Sequence, residues 1–210
     1  MQLTSIRLAA LLIPLVIATA GGLSTNSTRR TALATNCSEL VVNGGFESGS
    51  QGWSQVSAGG YNLISNFNPF TGSWGAYLGG VDDADDRLSQ TVALPAGAAS
   101  LTLRAWWSIA TTETGGAFDW MTFSLLRPDS TLLAELLTID SDAEPNLWDE
   151  AVVDLTPFTG QDVILQVLAR TDGSNPTDFF VDDVSIAACT SERRNFIPLV
   201  VANRDLRDLP

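Results

Sequence analysis

Residues 40–47 read Leu-Val-Val-Asn-Gly-Gly-Phe-Glu, and residues 179–186 read Phe-Phe-Val-Asp-Asp-Val-Ser-Ile. Each stretch places acidic side chains within or beside an apolar, strand-like run, where an unpaired carboxylate would be costly. A cation shared between the two stretches would remove that cost. Cys37 and Cys189 flank the same stretches from outside. We therefore predict one β-domain whose first and last segments meet.

Residues 1–20 are predicted to be an export signal, with the mature chain beginning near Gly21. Arg7 supplies the positive start, residues 8–18 form an apolar run, and Ala-Thr-Ala at 18–20 is a small-residue cleavage site. The run is shorter than the roughly 20 apolar residues that span a bilayer. We therefore expect a secreted or cell-surface protein with no membrane span after cleavage.

Export makes a disulfide between Cys37 and Cys189 the expected state of the two cysteines. Two free thiols, or pairing between chains, are the alternatives. The bridge would enclose the part of the chain that carries strand signals. The predicted organisation is a signal at 1–20, a flexible lead-in at 21–36, a β-domain at 37–189, and a tail with a short apolar segment at 190–210.

The composition excludes several classes of function. The formal charge is −13, which argues against nucleic acid, whose phosphates need a basic footprint, and against an anionic membrane surface. The chain has no histidine, so it lacks Ser-His-Asp and Cys-His machinery and the commonest metal ligand. Structural zinc is excluded in practice, whereas calcium held by oxygen ligands is compatible with these residues.

Short runs with alternating polarity predict the strands. Residues 101–109 and 120–125 alternate between an apolar and a mixed face, and residues 162–170 are apolar on both faces near their middle, as in a central strand. Turn residues at 127–130 predict a hairpin loop. About ten such strands predict an all-β fold, a two-sheet antiparallel β-sandwich of the jelly-roll type.

The opening segment from Val42 to Glu47, with Gly52 and Trp53, resembles carbohydrate-binding modules of families four, nine and twenty-two. Residues 90–95, 153–160 and 181–186 resemble the later segments of those modules, and the closing half is also similar to adhesive ectodomains of the MAM type. The resemblance implies a galactose-binding-like jelly roll. It also implies a non-catalytic module that binds a polysaccharide or other glycan.

In such modules a structural calcium ion sits at the edge of the sandwich, and the resemblance places Glu47 and Asp182 as its carboxylate ligands. Strand phase puts Asp182 on the packed face with Val184 and Ile186, and it leaves Asp183 outside as the reserve ligand. Calcium held by residues from distant strands would crosslink them. In the alternative interpretation, Glu47 caps a turn and both aspartates are solvated.

A sugar ring stacks on an aromatic face while its hydroxyl groups meet polar side chains. The mixed faces of three predicted strands offer both kinds of group, and we predict that they form one concave surface built from Arg104, Trp106, Trp120, Thr122, Gln166 and Arg170. As alternatives, these tryptophans belong to the core or to a protein interface. A rival site lies in a loop region that contains Tyr61, Phe67, Phe70 and Trp74.

Two other functions stay open at this point. One is a surface or matrix protein that acts through protein contacts, with a surface partner for the 190–210 tail. The other is a glycoside hydrolase that uses two carboxylates across a cleft. We expect no enzyme activity, because the acidic residues cluster in predicted turns.

Overall fold

Two antiparallel sheets pack face to face in the computed structural model, which describes residues 33–193. The larger sheet has six strands in the order β3-β4-β11-β6-β9, with β1 paired to β11. Its strands are β1 (Leu33–Glu39), β3 (Ile64–Ser65), β4 (Gly75–Gly79), β6 (Ser100–Ala110), β9 (Asp149–Asp154) and β11 (Asp178–Arg193).

The smaller sheet has five strands in the order β2-β5-β10-β7-β8. Its strands are β2 (Ser54–Ser57), β5 (Asp85–Ala93), β7 (Trp120–Leu126), β8 (Leu132–Asp140) and β10 (Asp162–Arg170). One 3-10 turn, Thr156–Phe158, follows β9. The predicted two-sheet antiparallel sandwich is confirmed. Within residues 33–193, no helix has the length and hydropathy that a membrane crossing needs.

Alternating side chains build the core between the sheets. Met121, Phe123 and Leu125 of β7 are fully buried, as are Leu101 and Leu103 of β6, and their sequence neighbours face outward. Burying one such side chain contributes about 1.5–3 kcal/mol. The apolar faces predicted for these two strands therefore form the packed interior.

The predicted central strand and hairpin are both present. β10 lies in the middle of the five-stranded sheet, between β5 and β7. β7 and β8 pair across the loop at 127–131, where the N–H of Arg127 donates to the carbonyl of Thr131 at 2.8 Å. Ser130 adopts a positive φ of 67° in that loop, which tightens the turn.

Cys37 and Cys189 form a disulfide, as predicted, and they are direct partners in the β1–β11 ladder. The ladder runs from Leu33 opposite Arg193 to Glu39 opposite Ala187. The two strands therefore extend beyond the predicted domain limits of 37 and 189. The predicted signal at 1–20 and the tail from residue 194 onward lie outside the described residues.

A β-bulge interrupts β11 where it crosses β6. Asp182 lies opposite Trp106, and the next regular pair is Ser185 with Arg104, so β11 has an extra residue here. Asp183 takes a positive φ of 47°. The insertion reverses the side-chain alternation, so Asp182 shares the outer face of the sheet with Trp106. The predicted position of Asp182 on the packed face is therefore wrong.

The first acidic stretch docks directly on this bulge. The N–H of Val184 donates to the carbonyl of Gly44 at 3.0 Å. A Cβ atom on Gly44 would lie 1.7 Å from the carbonyl oxygen of Val184. The close backbone approach therefore requires glycine at this position, and the two ends of the domain meet as predicted.

Candidate functional site

The outer face of the five-stranded sheet carries a row of charged and aromatic side chains across four strands. Asp85 on β5 pairs with Arg170 on β10, which pairs with Trp120 on β7, which pairs with Asp140 on β8. Directly opposite residues on antiparallel strands project to the same face. We call these four residues the Trp120 row.

Arg170 joins the members of the Trp120 row. Its Nε and one terminal nitrogen approach Oδ2 of Asp85 at 3.0 and 2.9 Å, and its guanidinium carbon lies 5.6 Å from the centre of the Trp120 ring. Arg87 also donates to Asp85, at 2.8 Å. A guanidinium has five N–H donors, so Arg170 keeps donors for an external oxygen while its position is fixed.

Polar side chains continue the same face beside the row. Thr122 and Ser124 are only 5% and 7% exposed although they point outward, and the hydroxyl of Thr122 bonds that of Thr138 at 3.0 Å. Gln166 lies between Ser124 and Ser89 in the ladder. The floor of the face is therefore made of hydroxyl and amide groups.

A shallow depression of about 510 Å³ lies on this side of the sandwich, next to Gln166. It lies where β5 and β10 approach the first acidic stretch, and it is lined by Val42, Gly52, Ser54, Ser89, Gln90, Thr91 and Ile164. The side-chain amide of Gln90 accepts from the N–H of Val42 at 2.7 Å and donates to its carbonyl at 2.9 Å. The wall of the depression is therefore fixed to the sheet.

The six predicted ligand-binding residues divide between the two sheets. Trp120, Thr122 and Arg170 share the face just described with Gln166, and their role in binding stays a prediction. Arg104 and Trp106 belong to β6 in the other sheet, so the prediction of one common surface is wrong. The sequence alternation identifies the faces of β6 and β7, but these two strands pair with different partners.

Trp106 is covered on the outer face of the six-stranded sheet. The ring of Phe70 stacks on it, with centroids 4.1 Å apart and planes at 15°. Phe70 also packs against Trp148 at 5.3 Å. Arg104 forms an ion pair with Glu150 at 2.6 Å. Trp106 therefore belongs to an aromatic cluster beneath a loop, in which its ring face is already occupied.

The loop that carries Phe70 is held by hydrogen bonds to the carboxylates predicted to bind calcium. Oδ2 of Asp182 accepts the N–H groups of Phe70 and Thr71 at 2.9 and 3.1 Å. Oε1 of Glu47 accepts two further N–H groups, from Ser73 and Trp74, at 2.7 and 2.9 Å. These backbone donors contact Oδ2 of Asp182 and Oε1 of Glu47, and the calcium ion at Glu47 and Asp182 stays a prediction.

Asp183 supports the same loop from the bulge. Its Oδ2 accepts the hydroxyl of Thr71 at 3.0 Å, and its N–H donates to Oδ1 of Asp182 at 2.7 Å. Asp182 is fully buried. Burial raises its pKa to about 6, against the opposing effect of the hydrogen bonds that it accepts.

A second acidic group lies elsewhere, and the sequence did not identify it. Oxygens of Glu113, Asp119 and Asp172 lie within 4.8 Å of one another. Asp119 is fully buried and accepts the N–H groups of Asp172 and Thr177, each at 2.7 Å. Oε2 of Glu113 is buried without a hydrogen-bond partner. Desolvation, with the charges of Asp119 and Asp172, raises the pKa of Glu113.

We call these three residues the acidic cluster. They could hold a metal ion, since carboxylate oxygens are the ligands that hard divalent cations prefer. In the sequence they appear only as acidic residues of two connections, β6–β7 and β10–β11. Their convergence depends on the folded topology, which the sequence pattern did not reveal.

Comparisons with known proteins identify solved structures that share this architecture. No protein-family model and no curated protein matches the sequence. The carbohydrate-binding module TmCBM61, solved in complex with β-1,4-galactotriose, matches with a TM-score of 0.50 and 16% identity, covering 74% of this chain and 100% of that module. The chain shares the β-sandwich fold of that module. The resemblance stated from the sequence is confirmed at the level of fold.

Two further structures are similar to this β-sandwich. The K3 adhesin domain of Lys-gingipain from Porphyromonas gingivalis W83 has a TM-score of 0.50 and 16% identity, over 72% of this chain and 99% of that domain. A family 16 carbohydrate-binding module has 24% identity and a TM-score of 0.46, over 70% of this chain and 98% of that module.

Proposed function

We propose that the outer face of the five-stranded sheet binds a glycan chain, without catalysis. The observation that carries the proposal is the Trp120 row, in which an aromatic ring lies beside a fixed guanidinium and flanking carboxylates. The exposed part of the indole offers a stacking surface for a sugar ring. Arg170, Gln166 and Asp140 offer donors and acceptors for hydroxyl groups.

The charge of the protein favours a neutral glycan. The net charge is −13, and Asp85 and Asp140 contribute carboxylates to the face itself. An acidic polysaccharide would be repelled. Adjacent strands lie about 4.8 Å apart, so the four strands of the row present a surface for several sugar units. TmCBM61 was solved with β-1,4-galactotriose, and β-1,4-galactan is therefore the first ligand to test.

Affinity gel electrophoresis against neutral and acidic polysaccharides, followed by calorimetry with oligosaccharides, tests the proposal. We expect retardation by a neutral polysaccharide and no release of reducing sugar. Trp120→Ala should weaken binding about twofold to tenfold, because aromatic stacking is worth about 0.5–1.5 kcal/mol. The matched control is Trp74→Ala, which removes a tryptophan that is 40% exposed on the opposite side of the sandwich. Equal affinity of wild type and Trp120→Ala, or no retardation on any polysaccharide, would contradict the proposal.

We also propose that the protein is exported and works outside the cell. The Cys37–Cys189 disulfide supports this, since such bonds persist in oxidising compartments. N-terminal sequencing of protein recovered from the medium should give a chain that starts near Gly21. Intracellular protein with an intact residue 1 would contradict export.

A role through protein contacts would instead show as self-association or partner binding that Trp120→Ala leaves unchanged.

We propose further that calcium binds at the acidic cluster. The three carboxylates converge there, and Glu113 has a buried oxygen without a partner. At Glu47 and Asp182, N–H dipoles already point their positive ends at the oxygens, which disfavours a cation. The resulting prediction is that calcium raises the melting temperature of protein stripped with chelator, and that Glu113→Gln removes this increase.

Glu47→Gln is the matched control, because it changes the alternative site by the same substitution. It should lower the starting stability yet keep the response to calcium. Loss of the response in Glu47→Gln alone would assign the ion to Glu47 and Asp182. A wild-type melting temperature that calcium does not change would exclude a structural calcium ion at both places.

A further inference from the structure

A second cavity lies on the other side of β5, away from the Trp120 row. Its volume is about 280 Å³, and it is lined by Tyr61, Asn62, Leu63, Tyr77, Gly79, Val81 and Asp86. Asp86 follows Asp85 in β5, so its side chain points to the opposite face of the sheet. This cavity, which we call the tyrosine pocket, is therefore separate from the proposed glycan-binding face.

Asp86 is an unusual residue to line such a pocket. It is only 2% exposed, and one hydrogen bond is formed at its carboxylate, from the N–H of Gly79 to Oδ2 at 2.9 Å. Among the side chains that the structure describes, those of residues 36–191, the arginine ion pairs involve Asp85 and Glu150, and none involves Asp86. A buried carboxylate without a cationic partner is costly. A positively charged ligand in the pocket would offset that cost.

A polar group next to Asp86 lacks a hydrogen-bond partner. Ser57 on β2 lies directly opposite Asp86 in the ladder, so both side chains project to the same face. The hydroxyl oxygen of Ser57 is buried and forms no hydrogen bond. Ser57 does not line the pocket, so the carboxylate of Asp86 is the charged acceptor that the pocket offers to a ligand.

Two tyrosines complete the pocket. Tyr61 is 56% exposed at the rim. Tyr77 is held in place because its hydroxyl donates to Oδ1 of Asp178 at 2.7 Å. Burial and that hydrogen bond raise the pKa of Tyr77, so its ring stays a neutral phenol. The ring of Tyr77 is stacked on Phe180, with centroids 5.4 Å apart. The exposed ring of Tyr61 is therefore the one that offers an electron-rich face to a cation, which adds to the attraction of the buried carboxylate.

We propose that the tyrosine pocket binds the primary ammonium group of a small molecule. An ammonium group supplies the missing positive charge and three N–H donors, which suit the carboxylate of Asp86 in the pocket lining. A neutral sugar supplies hydroxyl donors but no charge, and a hydrated metal ion gains nothing from the tyrosine walls. The ammonium group could come from an amino sugar or from an alkylamine, and the two sources share this chemistry.

Calorimetric or NMR titration of the full chain with glucosamine, N-acetylglucosamine, glucose and ethylamine tests the proposal. Glucosamine should bind at least about tenfold more tightly than glucose and N-acetylglucosamine, and added salt should weaken its binding, because the charge is the feature recognised. Binding of ethylamine as tight as that of glucosamine assigns the site to alkylamines in general. Weaker binding of ethylamine assigns it to amino sugars.

Asp86→Asn keeps the size of the side chain and an acceptor for Gly79, and it should weaken glucosamine binding about tenfold or more. Asp82→Asn is the matched control, since Asp82 is exposed on the preceding turn. This variant should bind glucosamine with the affinity of wild type.

If Asp86→Asn does not fold, Tyr61→Ala replaces it, and the same loss of glucosamine affinity is expected. Equal binding of glucosamine and glucose, or unchanged affinity in the variant, overturns the proposal. Trp120→Ala should bind glucosamine normally, so this proposal and the glycan-binding proposal fail independently.

Discussion

One buried carboxylate, Asp182, shows how a single residue can organise a surface of this protein. It accepts N–H groups of Phe70 and Thr71 from a loop more than a hundred positions earlier in the chain. It thereby fixes Phe70 over Trp106 and converts a candidate sugar-stacking ring into a packed one. The role of Trp106 is therefore decided by an acidic residue of the neighbouring strand.

Asp182 should make the folded protein more stable in mild acid than near neutrality. Its pKa is raised from 3.8 to about 6 by burial, so the folded state holds the proton more tightly than the unfolded state. The stabilisation is complete below pH 4 and is lost as the pH rises toward 6. The free energy of unfolding of wild type, relative to Asp182→Asn, should fall by up to about 3 kcal/mol between pH 4 and pH 7.

Urea unfolding at a series of pH values, in calcium-free buffer, measures this difference. The variant cannot titrate at this position, so subtraction removes the contribution of the other carboxylates. A difference that stays constant with pH, or that grows toward neutrality, would refute the assignment.

At this scale the sequence predicted that these carboxylates need compensation but not which backbone groups contact them. Acidic residues beside apolar strands are costly without partners, and the sequence suggested a shared cation for Glu47 and Asp182, with a turn cap and solvation as the alternative. The actual partners are backbone N–H groups of residues 70–74. Because every residue except proline carries such a donor, no residue type in the sequence identifies them.

At the scale of elements, strand faces could be predicted and strand partners could not. The alternation in β6 and β7 identifies which side chains are buried, since it follows from backbone geometry alone. It does not say that residues 111–119 lead the chain from one sheet to the other. The sequence did not reveal the bulge in β11 for a related reason. One extra residue reverses which side chains of the strand face the core, and the residue types in the strand give no sign of it.

Gly44→Ala tests the contact between the first segment and the bulge. A Cβ atom at this position would meet the carbonyl oxygen of Val184 at 1.7 Å, so the backbone must move. We expect a loss of about 3 kcal/mol or more in the free energy of unfolding, typical of a severe steric conflict. Urea denaturation followed by tryptophan fluorescence measures it.

Gly97→Ala is the control, because a Cβ atom there would meet open space. It should be neutral or slightly stabilising, since alanine restricts the unfolded chain more than glycine does. Similar behaviour of the two variants would show that residues 40–47 do not dock on the bulge as described.

At the scale of the whole molecule, the disulfide closes the domain where its first and last strands pair. It joins positions 152 apart, which corresponds to about 5 kcal/mol on the chain-entropy description. This closure was readable from the sequence, because two cysteines flank the domain and allow one internal pairing. The tyrosine pocket and the acidic cluster could not be predicted from the sequence, because each is formed by several connections that meet only after folding.

The double variant Cys37→Ser/Cys189→Ser should melt roughly 10 °C or more below the oxidised wild type. Calorimetry measures the difference, and reduced wild type should melt close to the double variant. An unchanged melting temperature would show that the β1–β11 ladder and the core fix the ends without the bond.

The position of this crosslink also determines how the domain would respond to mechanical tension. Leu33 and Arg193 are paired in register, so a pull on both flanking segments would open the β1–β11 ladder one rung at a time. The unzipping would stop at the fourth rung beyond the first, where Cys37 meets Cys189. From there the covalent bond would carry the load, and the rest of the sandwich would be protected from the applied tension.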